Sequence, residues 1–162
     1  MKKIVLLLLA LPLLGLRPYP SDLDHGMYMP VFMSREALEQ SVKYMAGDYA
    51  MVQTGKIYYR APYIYVNERY RGVHIINNTH PAHPVHEGFI LAPGCLDMAV
   101  KGHILYVDNA VDLVSFDLER KQVTKRIRNV FPEPLPPESF VYHSFYDRPQ
   151  GYIIVEWKKN NL

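Results

Sequence analysis

A single cysteine, Cys95, rules out an intramolecular disulfide. Stability must therefore come from packing or from a partner. Cys-x-x-Cys, a phosphate-binding glycine loop, a dinucleotide fingerprint and a Gly-x-Ser-x-Gly elbow are all missing. Their absence leaves no sign of dithiol redox chemistry, nucleotide-phosphate cradling or an elbow-type hydrolase nucleophile, and no cofactor is implied. Glycine is scarce, nine residues against thirteen prolines and thirteen tyrosines, a balance that suits strands and rigid turns. An excess of one charge is lacking too. A formal net charge of +2 is too weak a field to imply nucleic acid. Against these absences, 49% of the 162 residues are hydrophobic, which argues for one modest packed core.

Long apolar runs are limited to one. Lys2 and Lys3 precede residues 4–16, an apolar stretch broken only by Pro12 and Gly15. Its length of about 13 residues falls short of the ~20 that a bilayer span needs. A basic start and a short apolar centre read as a secretory signal over residues 1–17. A buried N-terminal core helix is the competing reading, opposed by Pro12 and by the lack of a polar face. No cysteine follows the run to take a lipid, and no Ala-x-Ala marks a cleavage point. The chain is expected outside the cytoplasm, in the periplasm or at a bacterial cell surface. Membrane contact is expected only through this segment, if it stays uncleaved.

The remainder of the chain uses one stretch twice. Tyr63-Ile64-Tyr65-Val66-Asn67 returns as Ile104-Leu105-Tyr106-Val107-Asp108, about 41 residues on. Gly72-Val73-His74-Ile75-Ile76-Asn77 returns as Asp112-Leu113-Val114-Ser115-Phe116-Asp117. Short strands and turns repeating at this period are the pattern of β-propeller blades. Residues 18–33, with three prolines and no apolar period, read as an extended leader. A helix is expected over 34–46: Ser34 suits the N-cap, Glu36 the first turn, and Met33 with Leu38 a hydrophobic staple. Repeat one, 49–91, places strands at 56–60, 63–67, 73–77 and 87–91. Repeat two, 95–130, places them at 97–100, 104–108, 113–117 and 123–130, with Asn109-Ala110 a tight turn. Residues 131–139 form a proline-rich linker, and 140–162 a final hairpin with strands at 140–146 and 152–157.

Val73-His74-Ile75-Ile76-Asn77 and Leu113-Val114-Ser115-Phe116-Asp117 resemble the core motif of the LVIVD-repeat family. The loop Asn77-x-x-His80-Pro81-x-x-Pro84 and the segment from Gly94 to Gly102 are similar to that family as well. The resemblance covers about residues 27–131. It implies a bacterial exported protein with a propeller fold and no settled activity. Asn77 departs from the motif's usual Asp, and family members generally carry enough repeats to close a ring. The expected fold is therefore mainly β: two tandem four-stranded propeller-type blades with a short N-terminal helix and a C-terminal hairpin, an incomplete propeller. Two blades leave apolar faces open. The chain would belong to a longer protein, self-associate, or use the helix and hairpin as caps.

Three groups are candidates for chemistry. Asp108, Asn109 and Asp112 surround a tight turn, where the two carboxylates could converge on Ca²⁺ or a ligand. Structural turn-capping by Asp, for these and for Asp97 and Asp117, is the commoner use. His80, His83 and His86 recur every third residue between prolines, so a polyproline II run would align them on one side. Neighbours would then stand about 9 Å apart. That is wide for a metal with bonds of about 2.0–2.1 Å, and a solvated loop is the alternative. Tyr58, Tyr59, Tyr63, Tyr65 and Tyr70 alternate between faces; some must be core, and an aromatic carbohydrate-binding face is the other use. Cys95 has no activating neighbour in sequence and is expected to be a buried, inert thiol. Lys121, Lys125, Arg126 and Arg128 read as protection of an edge strand, with a nucleic-acid or acidic-glycan surface as the alternative.

No catalytic residue is assigned. The expectation is a binding or scaffold module at the bacterial cell envelope, for an unknown protein or glycan ligand and without nucleic acid. The alternative is the N-terminal part of an envelope enzyme whose catalytic residues lie on blades absent here.

Overall fold

The computed structural model describes residues 28–137 and 148–159 of the chain. The signal expected at 1–17 and the hairpin strand expected at 140–146 lie outside these. Among the described residues no helix is long and apolar enough to cross a membrane.

The fold is mainly β, in antiparallel sheets. The first repeat is a meander of β3 (Thr54–Arg60), β4 (Tyr63–Glu68), β5 (Gly72–Asn77) and β6 (Val85–Leu91). The second is a meander of β7 (Met98–Lys101), β8 (Ile104–Asn109), β9 (Asp112–Asp117) and β10 (Gln122–Ile127). Alternation of apolar and polar side chains produces both, and the predicted strands match to within a few residues.

Ahead of them come β1 (Tyr28–Ser34), α1 (Arg35–Gln40) and β2 (Lys43–Ala46). The expected helix is thus half as long as its sequence suggested. Ser34 does cap it, accepting from the Ala37 amide at 3.2 Å, and Leu38 is fully buried beside half-buried Met33. Beyond Gln40 the chain turns and Lys43–Ala46 pairs with the free side of β6, making the sheet β2-β6-β5-β4-β3. Hydrogen bonding to an open sheet edge outweighs a weak helical preference. The last strand, β11 (Tyr152–Lys159), pairs with β1 rather than with a sequence neighbour. Part of the expected extended leader is therefore a strand.

The two meanders stack on one apolar core. Tyr65, Val73, Ile75 and Ile90 of the first meet Val100, Leu105, Val107, Val114 and Phe116 of the second. Their stacking has a direction. Tyr65 points into this core, whereas Tyr106, its counterpart in the repeat, lies on the opposite face of β8 from Leu105 and Val107. Non-equivalent faces thus meet, head to tail.

Each outer face carries a cover. Residues 48–53 cross the first, where the Tyr49 ring sits 5.8 Å from Phe89. Residues 131–135 lie along the second and form an apolar groove with Leu96, Met98, Tyr106 and Leu113. The β1–β11 ribbon packs at one side. Val31, Met33, Ile153 and Val155 join Leu38, Ala110 and Val111, and Trp157 donates to the Pro134 carbonyl at 2.8 Å. Gly94 is needed where the meanders join: its φ is +84°, and a Cβ there would lie 2.6 Å from the Ala110 nitrogen.

Candidate functional site

A cleft of about 600 Å³ opens between the meanders at one end of the stack. Three turns converge there, joining β3 to β4, β7 to β8, and β9 to β10. They bring Arg60, Pro62, His103, Leu118, Glu119 and Lys121 around Tyr63 and Tyr65 of β4, Tyr44 of β2 and Glu87 of β6. Sheet ends carry such sites because their turns are free of core packing while the strands hold them rigidly.

The lining is organised. Tyr65 is buried, and burial raises its phenol above the usual value, keeping the hydroxyl protonated. Tyr63 is half-buried beside it, the rings 6.3 Å apart and tilted. Tyr44 donates to the Glu87 carbonyl at 2.9 Å. The Lys121 ammonium stands 4.1 Å from the centre of the Tyr44 ring, a cation–π contact between the two sheets. Arg60 donates to the Gly102 carbonyl, also across the gap. The turn that carries Glu119 and Lys121 is set by Asp117, whose Oδ1 accepts from the Glu119 and Arg120 amides at 2.9 Å each. Those bonds, the Arg120 amide foremost, hold the Asp117 carboxyl below its ordinary value.

The residues around the Asn109-Ala110 turn are not in this cleft, and they divide. Asp108 accepts from the Leu96 and Asp97 amides at 2.9 Å, tying down the segment that leads into β7. Asn109 and Asp112 join on the other face through Arg126, which reaches them both at 2.8 Å. Asp112 also receives Arg35 at 2.7 Å and the Asn129 amide at 3.0 Å. Burial alone would raise this carboxyl; Arg35, the Asn129 amide and Arg126 outweigh it and hold it low. Arg126 further donates to the Leu38 carbonyl at 3.2 Å, at the end of α1. This network anchors the helix to the second meander. Arg126 is thus largely buried rather than a solvated edge charge.

The three histidines do not line up. The His83 amide donates to the His80 carbonyl at 2.8 Å, closing a turn where a polyproline run was expected, and both side chains are exposed. His86 sits on β6 and meets His74 instead, 3.1 Å between ring nitrogens. Together they form a chain from solvent to core. Asp48 contacts His86 at 2.6 Å, His86 contacts His74, and His74 reaches Glu68 at 3.4 Å. Glu68 is fully buried and accepts from the Val52 and Gln53 amides at 3.0 and 2.6 Å, so this chain pins the cover formed by residues 48–53. Among the described residues no group of three or more His, Cys, Asp or Glu is placed to hold a metal ion. Cys95 is buried, accepts from the Asn67 amide nitrogen at 3.2 Å, and has its thiol pushed well up by burial and by Asp108.

No protein-family model matches the chain, and no curated protein or solved structure does either. The chemistry of the cleft rests on its own geometry. Sequence reasoning singled out Tyr63 and Tyr65, read Lys121 as protection of an edge strand, and missed Tyr44, Arg60, Glu87, His103 and Glu119. Their available signal was a polar, ionisable residue at each of three separate turns, which has meaning only once those turns are known to meet.

Burial of His74 lowers its imidazole below the ordinary 6.5. The unfolded chain therefore takes up a proton near that pH that the folded chain refuses. Stability is expected to fall as pH drops below about 6.5, by up to ~1.4 kcal/mol per pH unit for this one group. Urea titrations at pH 7.5, 6.0 and 5.0 check it. His74→Gln should flatten the slope; an equal slope in the variant would assign it to other groups.

Proposed function

We propose that the chain is an exported, propeller-type repeat protein that acts as a binding module at the bacterial cell envelope, with the cleft between its meanders as the binding site. The observation that carries this reading is the cleft itself. Its volume lies within the ~300–1,000 Å³ usual for ligand sites, and aromatic rings and charged groups from both sheets converge on it.

The propeller relationship is supported by the head-to-tail stack. A face of one repeat covers the non-equivalent face of the next, and repeating such an operation lays blade upon blade. The similarity to LVIVD-repeat proteins points the same way, as do the four consecutive antiparallel strands of each repeat. Export is inferred from Lys2, Lys3 and the apolar residues 4–16.

The test is a thermal-shift screen of the full chain against a small-molecule and oligosaccharide panel, run beside Lys121→Ala. A hit that stabilises the wild type and loses at least tenfold in affinity in the variant supports the cleft. Hits indifferent to Lys121 place binding elsewhere. Turnover of a generic hydrolase substrate by the purified protein would overturn the binding-module reading.

A further inference from the structure

Resting on the reading of the cleft as a binding site, we infer that its ligand is an uncharged glycan of hexose-type rings. The polar groups of the lining decide this. Arg60 and Lys121 are donors only, while the Glu87 and Glu119 carboxylates are acceptors. None of the four forms an ion pair among the described residues. Arg60 spends one N–H on the Gly102 carbonyl and Glu87 one oxygen on Asn77, which leaves capacity on both. Each meander contributes one cation and one carboxylate, and these charges cancel, so the cleft has no net attraction for an anion or a cation. It offers donors and acceptors together, and a hydroxyl group uses both.

The apolar part of the lining agrees. A pyranose ring has a face of C–H groups and a rim of hydroxyls. Tyr63 presents a half-buried aromatic ring, held by its neighbour Tyr65, to receive such a face. Charged side chains stand around it at the rim. One side of the Tyr44 ring is already taken by Lys121, so the platform is Tyr63 and the Lys121–Tyr44 contact fixes a donor near it. A phosphorylated ligand fits poorly, because Glu87 and Glu119 would repel it. A purely apolar ligand fits poorly too, because four charged groups would lose water without replacement.

The experiment is saturation-transfer NMR on the full chain with maltohexaose, cellohexaose and N-acetylchitohexaose as probes, and with ATP and a glutamate hexapeptide as charged comparisons. At least one oligosaccharide should receive saturation, strongest at its ring C–H protons. Its Kd should rise at least tenfold in Tyr63→Ala and in Glu119→Gln, with unchanged circular dichroism. Glu119 is exposed, so that second variant tests the site without disturbing the core. Transfer to no oligosaccharide, or transfer unaffected by both variants, overturns the glycan assignment. Binding of ATP or the peptide that depends on Tyr63, with no sugar bound, overturns the ligand class while leaving the cleft as the site. Binding of any probe that ignores Tyr63 and Glu119 takes down both.

Discussion

Asp112→Ala should cost about 3–5 kcal/mol of folding stability, the penalty for leaving buried charge without its partner. Asp112 is fully buried and Arg126 nearly so, and Arg35 is the second cation on the same carboxylate. Removing the carboxylate leaves two guanidiniums facing each other and strands the Asn129 amide. A domain of this size has about 5–15 kcal/mol in all, so the variant should be close to unfolded at 37 °C. Arg35→Ala should cost much less, since Arg35 is partly solvated and Arg126 still neutralises Asp112. Asp112→Asn should fall between them, because it keeps an acceptor but loses the charge. Urea denaturation of the three variants reads the order. A loss below about 1 kcal/mol for Asp112→Ala would mean that water readily replaces the carboxylate and that the network contributes little to holding α1.

The second large effect concerns the joined ends of the chain. Deleting residues 1–34 removes β1, and with it every backbone partner that β11 has in the ribbon. Val31, Phe32 and Met33 are lost from two clusters. Fully buried side chains of this kind are worth about 1.5–3 kcal/mol each, so even partial burial makes the loss several kcal/mol. Trp157 is the one tryptophan and is buried in that ribbon, so its fluorescence reports the region directly. Deleting 1–34 should shift its emission to the red and open it to iodide quenching. Deleting only 1–27 keeps β1 and serves as the reference. A blue-shifted, protected Trp157 after removal of 1–34 would show that β11 holds its place on the second meander without β1.

The two deletions also separate what was legible in the sequence from what was not. The eight strands of the repeats could be read because their signal is local: apolar residues alternate with period two, and turn-forming residues separate them. Ser34 as a cap and, to within one residue, the reversal after Asn109, which falls at Ala110-Val111, were legible for the same reason, each being a property of a few consecutive residues. Lys43–Ala46 misled because its local pattern is weak, and the edge of β6 that claims it lies more than forty residues away. The partner of β11 is further off still. Arg126 looked solvated beside Lys125 and Arg128, since nothing local announces that Asp112, Asn109 and the Leu38 carbonyl surround it. The regular spacing of His80, His83 and His86 suggested one row, but a single backbone hydrogen bond folds the first two into a turn and a strand takes the third.

By itself, then, the sequence determined the class of the fold, its two runs of four antiparallel strands and the positions of their turns, because backbone preference and hydrophobic alternation act between neighbours. Only the tertiary structure decided that the repeats stack head to tail, that β1 closes on β11, and that Arg60, Tyr63, Glu87, Glu119 and Lys121 border one cleft. Those outcomes depend on which apolar faces exclude water together, and that is a choice among residues far apart in the chain.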